Sequence, residues 1–430
     1  MPIPRGACSV PRVLFALIIS TVAALASQNS LPLNARNLHN KSITAAEKLP
    51  VSDKVMVSVK NFASLGDSYA AGVGAGSQLD SKCWQYSESY PAQLNNTDML
   101  KGYGHSMQFL ACTGTVMRDD WGSSASSGGG KKKIIWDQID AIKGADFVTL
   151  SIGGNDAGFF DILNGCIYKF YGPASPSCEN IKKSAREKMM SKEFRVTYNK
   201  VLDAILTKNS EKSFRIFVTG YSKFFDDKLT DECSGKSLGY WAGYQPRLTV
   251  KLRRDLNDIC GTLNEMIGQI IAEKKDERVI WVNWAPKFDS HRFCQPGKGL
   301  ADKDTWFYDA AFRRTDIGSI NPKTCETDSE AATGDWGAQA LCAIAVAHAK
   351  YPALKPVSGE IQTTGGRDPF GPNDGRLFHP KPEGYRAIVD QIREVWPYAP
   401  AELRSDVDDA SAKGGEPANK GIDFELAKRL

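Results

Sequence analysis

Four short segments carry the strand signal. In "VMVSVKNFASLG" (residues 55–66) apolar and polar positions alternate, then turn continuously small and apolar, as in a strand entering a core. "ADFVTLSIGG" around Asp146–Ile152, "SFRIFVTGY" around Phe214–Thr219 and "RVIWVNWA" around Val279–Trp284 are rich in β-branched or aromatic residues and end near turn formers. Helical periods lie between and after them. Phe194, Tyr198, Val201, Leu202 and Ile205 recur at three- to four-residue steps, as do Leu248, Leu252, Leu256, Ile259, Leu263, Ile267 and Ile270. Tyr385, Ile388, Val389, Ile392 and Val395 mark a last helix. Strands alternating with helices of this length predict an α/β fold with a central parallel sheet covered on both faces. Functional groups then gather beyond the C-terminal ends of the strands.

The rhythm breaks over about 285–375, a Gly-, Pro-, Asp- and Trp-rich stretch with three cysteines. It reads as a disulfide-pinned insertion, because no period sustains a second core. Its aromatics, Trp306, Phe307, Tyr308 and Trp336, suit core or lid packing, or a groove for an acyl chain or sugar. Residues 399–430 are charged and rich in small residues, and read as a flexible tail. At the other end, Arg5 and Arg12 precede the apolar "VLFALIISTVAALA", which closes on Ala24-Leu25-Ala26. That is the pattern of a signal peptide over 1–26, too short for the roughly 20 residues of a stable membrane anchor. A polar lead-in occupies 27–56, and the main domain covers 57–398.

Secretion gives the ten cysteines a meaning. Cys8 leaves with the leader, and the remaining nine form no CxxC pair, so disulfides with one thiol left over are expected. Cys166 and Cys178 are candidates to pair across a short hydrophilic loop. Asn40 and Asn95 head N-x-[ST] sequons. A formal charge of +4 over 430 residues argues against nucleic acid as a partner. A monomer is expected.

The chemistry centres on "FASLGDSYAAGVGAG", Phe62–Gly76, at the end of the first strand. Its glycines suggest a phosphate cradle, but it holds neither G-x-G-x-x-G nor G-K-[ST]. The other reading makes Ser68 a nucleophile. Gly66 would let the strand turn sharply, and the later glycines would keep the loop thin for an approaching carbonyl. Asp67 would be a local brace. A serine nucleophile needs a base and oxyanion donors. Of five histidines, His39, His105, His291 and His348 sit in less suitable places; His291 near Cys294 also raises a metal pair, less economical than a disulfide. His379 lies in "GRLFHPKPEGYRAI", on a Pro-stiffened loop that opens the last helix. Asn155, in Gly153-Gly154-Asn155-Asp156, and Gly114, in "ACTGTVMRD", could supply donors at the same sheet edge.

Ser68 in Gly66-Asp67-Ser68, Gly114, Asn155 and His379 before Pro380 resemble, in order, the four blocks of the SGNH, or GDSL-type, hydrolases. The secreted suberin-esterase-like branch is the most similar, through "GDSYAAGVG", Cys83 and Cys112 flanking the second block, and "SHRFCQPG" at Ser290–Gly297. The resemblance implies a three-layer α/β/α sandwich of flavodoxin-like topology and a Cys83–Cys112 disulfide. It implies Ser68 as nucleophile, His379 as general base then acid, and the Ser68 N–H, Gly114 N–H and Asn155 amide as oxyanion donors. No cofactor or metal is implied, and the substrate would be a small-molecule or polymeric ester. One position departs from the pattern: Arg376 stands where the family usually carries Asp three residues before the histidine. Either the Arg376 carbonyl or the displaced Asp374 would then orient His379, in a dyad or a loose triad. The alternative is a non-catalytic secreted binder of glycans or a partner on the same scaffold.

Overall fold

The structure, a computed structural model, describes residues 59–100, 106–118, 133–308, 336–357 and 378–398. The leader, the lead-in, the tail, Asn40, Asp374 and Arg376 lie outside the described residues.

Five parallel strands form the central sheet: β1 (Asn61–Gly66), β2 (Ser106–Phe109), β3 (Phe147–Ser151), β4 (Arg215–Thr219) and β5 (Val279–Val282). Their order is β2-β1-β3-β4-β5. This is the flavodoxin-like order, with its topological switch between β1 and β3. Every residue of β3 and β4 is buried, as expected of strands covered on both faces. Three of the four segments read as strands lie within a residue or two of the observed bounds; the first, 55–66, ends with β1 at Gly66 but starts six residues before it. The fifth strand, β2, has the sequence SMQF, half-buried or exposed at the sheet edge, so it carries no apolar run to read.

Around the sheet run α1 (Ser68–Ala71), α2 (Tyr90–Asn95), α3 (Ile135–Asp140), α4 (Phe159–Leu163), α5 (Cys178–Met189), α6 (Lys192–Leu206), α7 (Val250–Lys274), α8 (Trp336–Lys350) and α9 (Pro382–Glu394). Helices α3, α5, α6 and α7 pack among themselves, and α2 packs with α9, giving a layer on each face. The three periodic segments are α6, α7 and α9. Ser191 and Thr249 cap α6 and α7 by accepting from the third N–H, and Pro382 preorganises the first turn of α9. Phe62 stacks on Phe147 at 4.7 Å, and Phe147 meets Phe217 and Trp396 edge-on, so the last described segment closes the core. No described helix is long and apolar enough to cross a membrane.

Three disulfides join Cys83 to Cys112, Cys166 to Cys178 and Cys233 to Cys294. Cys342 is disulfide-bonded as well. The loop between Cys166 and Cys178 is not hydrophilic, however: Ile167, Tyr168 and Phe170 are buried there, and the two rings stack at 4.9 Å. Cys260, inside α7, is a free buried thiol, and burial pushes its pKa up to about 12, so it stays protonated and inert.

Candidate active site

The site begins with the geometry at the end of β1. Gly66 has φ +133°, and a Cβ on it would lie 2.1 Å from the Ser151 carbonyl oxygen in β3. Only glycine lets the chain turn this tightly while still pairing. Buried Gln138 of α3 takes the place of a strand neighbour: its Oε1 accepts from Gly66 N–H at 2.7 Å, and its Nε2 donates to the Gly66 carbonyl at 3.0 Å. Asp67 caps α1 by accepting from Tyr69 N–H at 3.0 Å, which leaves Ser68 as the first helical residue. Gly72 (φ +81°) ends that helix; a Cβ there would meet Ser89 at 2.1 Å, and one on Gly76 would meet Ser87 and Glu88. These two glycines therefore serve close packing against 87–89 and not a thin approach path, which corrects the expectation for them.

His379 reaches Ser68 from the far end of the domain. Its Nε2 lies 2.7 Å from Ser68 Oγ, and both residues are buried. The loop is held on both sides. Tyr308 N–H donates to the His379 carbonyl at 3.0 Å, Phe378 N–H to the Tyr308 carbonyl at 3.1 Å, and Lys381 N–H to the Trp306 carbonyl at 2.7 Å. Across 309 residues, the Tyr69 hydroxyl donates to the Phe378 carbonyl at 2.7 Å. Phe378 sits in the left-handed region (φ +58°), a conformation costing roughly 1–2 kcal/mol for a non-glycine residue. Its ring offsets this by packing against Phe224 at 4.7 Å and Phe293 at 5.1 Å.

Gly114 and Asn155 face the same edge. Cys112 N–H donates to the Gly66 carbonyl at 3.0 Å, and Asn155 Nδ2 donates to the Thr115 carbonyl at 3.0 Å, so the Cys112–Thr115 turn is tied to both strand ends. Gly114 is half-buried between buried Thr113 and Thr115. Among the described residues, neither the Ser68 nor the Gly114 N–H has an acceptor. An amide carries two N–H groups, so Asn155 keeps one beyond its bond to Thr115. Ser68, Asn155 and His379 line one narrow pocket, together with Phe159, Leu163, Phe224 and Phe378; Gly114 is not part of its lining.

Two carboxylates beneath the site do not touch His379. Burial pushes Asp67 up to about 6, against hydrogen bonds from the Tyr221 hydroxyl and Tyr69 N–H that favour its charged form. Burial likewise pushes Asp156 up to about 7, where it accepts from Met117 N–H at 2.8 Å. Asp67 is a brace of the turn, as its position suggested. Cys294 is in a disulfide, and His291 stacks on Trp306 at 3.5 Å with Nδ1 at 2.8 Å from the Asp304 carbonyl. Phe307 is core, Trp306 is half-buried, and Tyr308 donates to the Gly74 carbonyl at 2.9 Å. Asn95 ends α2, half-buried. Among the described residues no group of His, Cys, Asp and Glu is placed to hold a metal.

Sequence reasoning passed over Tyr221, Gln138, Tyr69 and Phe378. Tyr221 had a legible signal, a polar ring directly after a strand at the functional edge. The others depend on contacts between distant segments.

A serine on the first strand's end, then glycine, asparagine and histidine, on a 2-1-3-4-5 parallel sheet, is the arrangement that the resemblance to the SGNH hydrolases implies. Curated proteins resemble part of the chain. The chain is 28% identical over 181 residues to a lipase of Streptomyces rimosus, covering 41% of this chain and 58% of that protein. It is 29% identical over 184 residues to lipase 1 of Streptomyces coelicolor, covering 41% and 57%. The match thus spans under three-fifths of those relatives' length. Among solved structures, phospholipase A1 from Streptomyces albidoflavus NA297 is 19% identical, with 78% of this chain and 98% of that one covered and a TM-score of 0.48. No protein-family model matches the chain.

Proposed function

We propose that the chain is a secreted serine hydrolase of carboxylic esters. The observation that carries this is the buried 2.7 Å contact between Ser68 Oγ and His379 Nε2 at an apolar pocket. A free hydroxyl is a weak nucleophile, and a base at this distance can take its proton during attack. Ser68 Oγ adds to the ester carbonyl carbon as His379 Nε2 accepts the proton. The resulting oxyanion is held by the Ser68 and Gly114 N–H groups and the Asn155 amide. His379 then returns the proton to the departing alcohol, leaving an acyl-serine. Water, deprotonated by the same nitrogen, cleaves that intermediate and restores Ser68. The lipase relatives support the ester class. The leader-like segment and the disulfides support secretion.

The reading treats the pair as a dyad, because Arg376 stands where the family usually carries an acid. Asp374→Asn then keeps kcat within about threefold, whereas a loss near 10⁴-fold makes Asp374 a triad member.

The acyl group lies against Phe159, Leu163, Phe224 and Phe378. The cavity there is narrow, with about 20 Å³ open to the centre of a water molecule, room for about one water. Short acyl groups fit such a pocket and long ones do not. One methylene in an apolar pocket is worth roughly 1–3 kcal/mol. A p-nitrophenyl ester series from acetate to laurate tests the reading. Expected is the highest kcat/KM at two to four carbons, with Leu163→Ala lowering the butyrate-to-octanoate ratio about tenfold. A preference for laurate that Leu163→Ala leaves unmoved counts against the short-acyl assignment. Turnover of no ester at all counts against the enzyme.

A further inference from the structure

We propose that Tyr221 is a positioning residue, whose single hydroxyl fixes the nucleophile's turn against the oxyanion turn. The proposal rests on the ester-hydrolase reading and adds a part to it. Tyr221 follows β4 and is fully buried. Its hydroxyl donates to Asp67 Oδ2 at 2.5 Å and accepts from Gly154 N–H at 2.9 Å. Asp67 directly precedes Ser68, and Gly154 directly precedes Asn155. The turns after β1 and β3, on either side of the topological switch, are therefore joined by one oxygen.

Few groups can do this. The buried carboxylate needs a donor and the buried N–H needs an acceptor, and a phenol supplies both at once. The tyrosine itself is fixed. Asn264 of α7 accepts from Tyr221 N–H at 2.8 Å and donates to the Tyr221 carbonyl at 2.5 Å. Gly220 lets the chain pass close: a Cβ there would lie 2.5 Å from both Asn264 and Trp281. The ring meets Tyr69 edge-on at 5.0 Å and Phe159 at 5.8 Å. Tyr69 in turn holds the Phe378 carbonyl beside His379, so the same packed unit borders nucleophile, base and oxyanion donor.

A tyrosine that merely satisfied Asp67 would affect stability and leave the transition state alone. A positioning tyrosine acts on the transition state, because misplacement by about 1 Å can cost on the order of 10²-fold in rate. The test is Tyr221→Phe in the full chain, assayed with a short p-nitrophenyl ester. The same protein is titrated with an alkyl boronic acid, which forms a tetrahedral adduct on a serine, and with the non-reactive amide isostere of the substrate. Expected is a kcat lowered about 30- to 100-fold with KM within about threefold. Boronate affinity should fall by the same factor and amide affinity should hold. An unchanged kcat and boronate affinity, or a rise in KM alone, overturns the proposal. Should Tyr221→Phe not fold, Asn264→Ala frees the tyrosine's main chain and keeps its hydroxyl. It is expected to show the same split, and a folded Asn264→Ala with unaltered kcat overturns the proposal too. Wild-type protein that hydrolyses no ester defeats the ester reading and this inference with it; active wild type with an unaffected Tyr221→Phe defeats the inference alone.

Discussion

Ser68→Ala is expected to lower kcat for ester hydrolysis by about 10⁵-fold or more, with KM little changed. Among the described residues, the hydroxyl is the one nucleophilic atom in the pocket placed against an imidazole nitrogen, at 2.7 Å. Removing it leaves the proposed oxyanion donors and the apolar wall in place, so substrate should still bind and a small residual rate over water should survive. His379→Ala should cost nearly as much, and the double variant little more than either single one, because the two act as a unit. Losses that simply multiply would mean that Ser68 and His379 contribute separately, contrary to the mechanism. Thermal unfolding of Ser68→Ala should match the wild type within about 1 kcal/mol, since a small buried side chain is exchanged for a smaller one.

Gly66→Ala is the substitution with the largest expected effect on the fold. At φ +133° an alanine is strained, and its Cβ would sit 2.1 Å from the Ser151 carbonyl oxygen. The obstructing atom is backbone in the central sheet, so relief requires separating β1 from β3. The cost should exceed about 4 kcal/mol, enough to unfold a domain of ordinary stability. Gly144→Ala is the comparison. Its φ is +58° and nothing lies within 4 Å of the added carbon, so only the backbone strain of about 1–2 kcal/mol applies. Soluble, natively melting Gly66→Ala protein would mean that the turn before Ser68 is looser than described.

Much of this was legible beforehand, for identifiable reasons. The three inner strands announce themselves because each is a short apolar run that must be buried, and edge strand β5 does so because all four of its residues are apolar and its two valines are buried. The helices α6, α7 and α9 do so because one face of each repeats at the helical period. Edge strand β2 does not, since a half-exposed strand is under no pressure to be apolar. Ser68, Gly114, Asn155 and His379 could be singled out as candidates because a serine nucleophile needs particular residue types beside strand ends. The residues that hold them could not. Tyr69 meets Phe378 across 309 positions and Tyr221 meets Asp67 across 154, and no local pattern encodes such pairs. The downstream glycines misled for a related reason. Their spacing resembles a ligand loop, whereas Gly72 and Gly76 admit a neighbouring segment of the chain itself.

Whether Ser68 is an activated nucleophile can be read from labelling with a fluorophosphonate probe, because the reagent reacts with a serine only when base and oxyanion donors are assembled around it. The folded protein is treated with the probe, digested, and the modified peptide identified by mass spectrometry. The account predicts one adduct, on Ser68, formed at a rate that Tyr221→Phe slows and that His379→Ala abolishes. Native protein that leaves Ser68 unmodified, under conditions where a control serine esterase is fully labelled, would contradict it.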